Sequence, residues 1–111
     1  MAQIVRAGLI QQRWTGDKDS MIAAAVNHIQ TAASAGAQVV CLQELFYGPY
    51  FCAEQETRWY DLTEKVPDGP TTKQFAALAK KLGIPVVHWD GVQSLDLPLA
   101  AHTRRPLGVR R

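Results

Sequence analysis

Two short apolar runs separated by one amphipathic helix constrain this chain more than anything else in it. Ile4 to Gln11 is apolar, partly alternating and free of proline, and reads as a buried strand. The polar stretch Thr15-Gly16-Asp17-Lys18 follows, and Asp19 or Ser20 then offers a side-chain oxygen to the free amides of a helix start. Ile22, Ala25, Val26, Ile29 and Ala33 recur at helical spacing as one apolar stripe, with Asn27, Gln30 and Ser34 off it. Gly36 stands where a left-handed residue ends such a helix. Gln38-Val39-Val40-Cys41-Leu42 is short and β-branched, bounded by Gly36 and by Gln43-Glu44, which is the profile of a central parallel strand. The first 42 residues therefore read as a β-α-β unit, whose crossover is expected to be right-handed.

A second, shorter pattern lies beyond an irregular stretch from Gln43 to about Pro70. That stretch holds the turn signals Gly48-Pro49 and Pro67-Asp68-Gly69-Pro70 and a crowd of aromatics: Phe46, Tyr47, Tyr50, Phe51, Trp59 and Tyr60. Residues 54–60 are expected to form a helical turn or two. Pro70 suits a first helical position, Phe75, Leu78, Ala79 and Leu82 make a second stripe, and Lys80 and Lys81 complement its carboxyl end. Gly83 marks the stop, and Ile84-Pro85-Val86-Val87 reads as a third strand. The order β-α-β-loop-α-β predicts an α/β layered fold with a largely parallel sheet.

After Val87 the pattern ends. Residues 88–111 carry Gly91, Pro98, Pro106 and Gly108, sustain no period, and are expected to be irregular or disordered. Charge divides at the same place. Residues 1–87 hold eight basic and eight acidic side chains, so the net charge of +2 resides in the last 24 residues. A chain of 111 residues that is 47% hydrophobic and 20% charged has room for one domain and is neither collagen-like, coiled-coil nor wholly disordered. No apolar run reaches the roughly 18–20 residues that cross a bilayer. Arg6 within the first apolar stretch, with no cleavage site, argues against a secretory signal, so a cytoplasmic setting is expected.

Glu44 is the residue most suited to chemistry. It lies two residues beyond Leu42, at the carboxyl end of a strand, where open α/β sheets bind their ligands. Among Phe46, Tyr47 and Tyr50 it would be partly withdrawn from water, which suits a general base working near neutral pH. A solvated loop glutamate, or one capping a nearby amide, fits the same pattern. The aromatic cluster either lines a pocket or packs the underside of a long loop. Cys41 reads as a small core residue, and Cys52 has no His or Lys at a spacing that would activate its thiol. His28, His88 and His102 show no metal-ligand spacing. Arg104, Arg105, Arg110 and Arg111 lack the interleaved aromatics of a nucleic-acid surface, and no nucleic-acid or membrane partner is expected.

The run Gly36 to Cys52 (GAQVVCLQELFYGPYFC) resembles the nitrilase superfamily of carbon–nitrogen hydrolases, in which a strand ends in an active-site glutamate. Its Leu-Gln-Glu-Leu-Phe core looks most like the branch that cleaves N-carbamoyl amines, which includes N-carbamoylputrescine amidases and β-ureidopropionases. Gln11-Gln12-Arg13-Trp14 and Val66-Pro67-Asp68-Gly69-Pro70-Thr71-Thr72 agree with it, and the resemblance spans residues 3–87. It implies a four-layer α-β-β-α sandwich, a Cys-Glu-Lys triad and no metal or organic cofactor. It also implies a small N-carbamoyl amine or amide substrate and homo-oligomers for the full-length form. The cysteine would attack the carbonyl carbon, the glutamate would take the thiol proton, and the lysine would steady the oxyanion. Only Glu44 matches a triad position here. Tyr47, Tyr50 and Phe51 are the candidate walls of a substrate pocket.

Neither cysteine and none of Lys73, Lys80 and Lys81 matches the remaining triad positions, and complete members of that family are much longer. Residues 1–87 are thus expected to be the amino-terminal part of a hydrolase domain, and residues 88–111 a truncated or frame-shifted tail. Such a chain is expected to be inactive and marginally stable alone, since its helices cover one face of a sheet meant to be buried on both. The alternative expectation is a non-catalytic α/β module that associates with a full-length homologue.

Overall fold

The computed structural model describes residues 2–50, 53–54, 56–66 and 68–89. Phe51, Cys52 and the expected irregular course of residues 90–111 lie outside the described residues. β1 (Ala7–Ile10), α1 (Lys18–Ser34), β2 (Val39–Glu44), a 3-10 helix (Thr57–Leu62), α2 (Pro70–Leu82) and β3 (Val86–Trp89) follow in chain order. The strands form one parallel sheet in the order β1-β2-β3, so β2 is central, as its composition predicts.

β1 is shorter than the apolar run that contains it. It lies at the edge of the sheet, and its first ladder partner is Val39, opposite Ala7. Upstream, Gln38 N–H still donates to the Arg6 carbonyl (2.7 Å), but residues before Gln38 belong to the turn that leaves α1. Among the described residues Ile4 and Val5 therefore have no neighbour to pair with, and both are exposed. β3 begins later than predicted and runs on through His88 and Trp89. Pro85 has no N–H to donate, so it joins the sheet only through its carbonyl, which accepts from Val40 (3.0 Å).

The cap of α1 is Asp17, rather than Asp19 or Ser20. Asp17 is extended (φ −148°, ψ 155°), and its Oδ1 accepts the Ser20 amide at 2.8 Å. The Ser20 hydroxyl donates back to the Asp17 carboxylate (2.8 Å), so both residues serve one cap. Gly36 takes the left-handed conformation just past α1 (φ 93°), and Gly83 does so at the end of α2 (φ 69°). Pro70 is the first residue of α2, as predicted.

Both helices cover the same sheet face. Met21, Ala25 and Ile29 from α1 and Phe75 and Leu78 from α2 close on Val40 and Leu42 of β2, Val86 of β3, and Phe46. The buried row of α1 begins at Met21, one residue before Ile22, where the periodicity begins the stripe. Phe46, Phe75, Met21, Ile29 and Val40 are the largest fully buried side chains, each contributing about 2 kcal/mol. α1 sits so near β1 that a Cβ on Gly8 would stand 2.9 Å from that of Ala32. The opposite sheet face carries no helix among the described residues. Its central row is Leu9, Cys41 and Val87, and Leu9 is 82% exposed.

Candidate active site

Parallel strands deliver their carboxyl ends to one rim of the sheet, and the candidate site is built there. Glu44 is the last residue of β2 and stands opposite Trp89 in the ladder, after an irregularity in register that begins at Cys41. The next residue, Leu45, is the one non-glycine among the described residues in the left-handed region (φ 57°). A leucine pays a steric penalty there, which glycine would escape. Glu44, Leu45, Gln43, Gln12, Trp14 and Tyr50 line a cleft of about 470 Å³.

The structure brings Glu44 and Tyr50 together on this cleft and separates Tyr47 from it. Tyr47 is buried, edge-on to Phe46 at 5.0 Å, with the Lys18 Nζ 4.5 Å from its ring centre. Phe46 is fully buried and also meets Phe75 (5.2 Å) and His88 (5.5 Å). The two aromatics after Glu44 thus pack beneath the loop, and Glu44 itself is exposed. The expectation that they withdraw it from water is corrected accordingly. His88, which reads from sequence as a lone histidine at the start of the tail, is a buried residue of β3 whose ring stands nearly perpendicular to those of Phe46 and Phe75. Cys41 is half-buried on the open sheet face, its thiol against the Leu42 carbonyl (3.5 Å).

Sequence reasoning missed two groups of residues that hold this rim. Gln12 and Gln43 exchange hydrogen bonds. The Gln12 amide donates to Gln43 Oε1 (2.6 Å), and Gln43 Nε2 donates to the Gln12 carbonyl (2.9 Å). Gln12 Nε2 also donates to the carbonyls of Met21 (3.0 Å) and Phe46 (3.1 Å). Each glutamine lies just past the apolar run of one of two adjacent parallel strands, and that matched placement is the signal that could have found them. The second group is Lys18 with Glu64. Lys18 Nζ lies 2.7 Å from Glu64 Oε2 and donates to the Leu62 carbonyl (3.1 Å). Glu64 Oε1 accepts the Thr71 amide at 2.7 Å, and its Oε2 accepts the Thr71 hydroxyl. Burial pushes the Glu64 carboxyl up, but the hydrogen bonds from Lys18 and Thr71 and the Lys18 charge outweigh it and hold the group below its ordinary value.

Beside the cleft lies a second hollow of about 220 Å³ that shares Trp14 and Tyr50 with it. Trp14 meets Trp59 edge-on at 6.4 Å, and the Arg58 guanidinium lies 4.3 Å from the Trp59 ring centre while pairing with Glu54 and Glu56. Among the described residues no group of three His, Cys, Asp or Glu side chains is placed to hold a metal ion. No helix among them is long and apolar enough to cross a membrane.

The family model for carbon-nitrogen hydrolases matches residues 6–88. The chain is 31% identical over 84 residues to an N-carbamoylputrescine amidase of Solanum lycopersicum, covering 76% of this chain and 28% of that protein. It is 39% identical over 59 residues to a beta-ureidopropionase of Arabidopsis thaliana, covering 53% of this chain and 14% of that enzyme. Among solved structures, a carbon-nitrogen hydrolase from Helicobacter pylori G27 superposes with a TM-score of 0.62 at 26% identity, covering 76% of this chain and 29% of that one. The chain thus spans less than a third of the length of these relatives.

Proposed function

This chain belongs to the carbon–nitrogen hydrolase family, and on that premise we propose that it carries the general-base segment of an amidohydrolase acting on small linear N-carbamoyl amines or amino acids. The observation that carries the reading is Glu44. It ends the central parallel strand, faces a cleft of about 470 Å³, and lies in the segment similar to an N-carbamoylputrescine amidase. An exposed carboxylate at the mouth of a cleft can accept a thiol proton, which turns the thiol into a competent nucleophile. Attack on the carbamoyl carbon then forms the carbon–sulfur bond and expels one nitrogen as an amine. Water cleaves the remaining thiocarbamate to the free thiol and carbamic acid, which falls apart, and the sum is amine, carbon dioxide and ammonia from one N-carbamoyl amine and one water. In this reading Glu44 is the base and Tyr50 a wall of the substrate site, joined by Phe51. The thiol and the lysine come from outside residues 1–87, and residues 88–111 supply neither, so the chain alone does not turn over.

The test is a hybrid in which residues 6–88 replace the matching segment of the Solanum lycopersicum amidase. Ammonia release from N-carbamoylputrescine should be present in the hybrid and absent from the 111-residue chain alone. Glu44→Gln should lower kcat of the hybrid by at least about 100-fold. Undiminished turnover in that variant overturns the assignment.

The uncovered sheet face, on which Leu9 is exposed and Cys41 and Val87 are half-buried, favours a second reading, in which the chain is a non-catalytic module that docks on a longer homologue. Co-elution with such a homologue, with no change in the homologue's kcat on adding Glu44→Gln chain in place of the parent, would distinguish it from the first.

A further inference from the structure

We propose that Gln12 is a positioning residue for Glu44, clamping the chain on both sides of the Glu44-Leu45 step; this rests on the reading of Glu44 as the base. The β1–β2 ladder ends at the pair Ile10–Leu42. Beyond it the Gln43 side-chain amide takes over the role of a neighbouring peptide group, accepting from the Gln12 amide (2.6 Å) and donating to the Gln12 carbonyl (2.9 Å). That fixes the residue before Glu44. Gln12 Nε2 then reaches the Phe46 carbonyl (3.1 Å), which fixes the residue after Leu45. Its second proton goes to the Met21 carbonyl (3.0 Å) in the first turns of α1, so the clamp is anchored to a helix and does not float with the loop.

The clamp encloses the place where the backbone is strained. Leu45 sits at φ 57°, a conformation that an unrestrained leucine leaves for the ordinary extended or helical regions. Such a change would swing Glu44 relative to the cleft, because the two residues share a peptide plane. Bonds on either side of the step oppose it. The chemistry of Gln12 fits the task in one further respect. Both of its Nε2 protons are used, whereas its Oε1 is buried with no hydrogen-bond partner among the described residues. The side chain is retained as a double donor, and its acceptor has no part in the clamp. Gln12→Glu keeps the shape, removes both donors and sets a carboxylate against two carbonyls, so it should fail as completely as Gln12→Ala.

Two readouts test the proposal. In the 111-residue chain, hydrogen exchange followed by mass spectrometry should show peptides covering residues 43–48 exchanging about tenfold faster in Gln12→Ala and Gln12→Glu, with α1 and α2 unchanged. In the hybrid described above, the same variants should lower kcat about tenfold with KM within about threefold, since a misplaced base slows the proton transfer and leaves ground-state binding in place. Gln30→Ala, on the exposed side of α1, is the control for both. Unchanged exchange at 43–48 overturns the clamp. Faster exchange with undiminished kcat overturns its positioning role. Undiminished turnover in Glu44→Gln overturns the base itself, a result that the exchange measurement on the chain does not share.

Discussion

Glu64 is held in its charged form by the fold, although nothing about it stands out in the sequence. Its folded-state value lies below its ordinary one of 4.5, because Lys18 and Thr71 favour the carboxylate more than burial opposes it. The associated stability is fully present above about pH 4.5 and is lost as pH falls through the folded value. Thermal unfolding followed from pH 7 down to pH 3 should therefore show an acid-side loss that Glu64→Gln largely removes. At pH 7 that variant should be less stable by about 2 kcal/mol, since Lys18 loses its charged partner and Thr71 its strongest acceptor. An acid limb of equal slope in parent and variant would show that other carboxylates carry it. Legibility at this scale was uneven. Glu44 could be picked out because a carboxylate past an apolar β-branched run is a local pattern. Glu64, Lys18 and Gln12 could not, since each acquires its role from a partner 7 to 46 residues away that only the tertiary fold supplies.

Among the elements, α2 shows how a helix start can be specified from outside itself. Its N-cap, Gly69, has no side chain, and the Thr71 amide is satisfied by Glu64 from the preceding loop. The loop folds back tightly enough that a Cβ on Gly69 would stand 2.6 Å from the Lys65 carbonyl oxygen and 2.8 Å from Glu64 Cβ. Gly69→Ala should cost about 2 kcal/mol in urea unfolding by pushing Glu64 off the helix start. Gly48→Ala, which among the described residues meets a Leu62 methyl at 3.4 Å, should cost clearly less, and equal losses would remove the explanation. The ends of α2 were legible because Pro70 and Gly83 act through their own backbone geometry. The start of α1 was misplaced by two or three residues because Asp17, Asp19 and Ser20 are all competent caps, and Ser20 acts as the partner of the cap. The span of β1 was overestimated for a different reason: an apolar run becomes strand only where a neighbouring strand exists to pair with it.

At the scale of the molecule, one helical layer covers one face of a three-stranded sheet, which is two of the four layers that the resemblance implies. Leu9 heads the row that this leaves open, on an edge strand. Leu9→Lys should lower self-association of the chain, measured by sedimentation, and change its unfolding free energy by less than about 0.5 kcal/mol, because a charge on an exposed edge discourages pairing without touching the core. Association undiminished by the lysine would direct attention to another surface. The parallel arrangement has a consequence for whatever polypeptide lies beyond β3. Trp89 is laddered beside Glu44, so the last described residue of β3 stands about 5 Å from the strand that bears the carboxylate. Any group carried on the continuing chain is leashed to the mouth of the cleft. Its encounter with Glu44 is an intramolecular event, at an effective concentration on the order of millimolar for a short flexible connection, independent of how dilute the protein is.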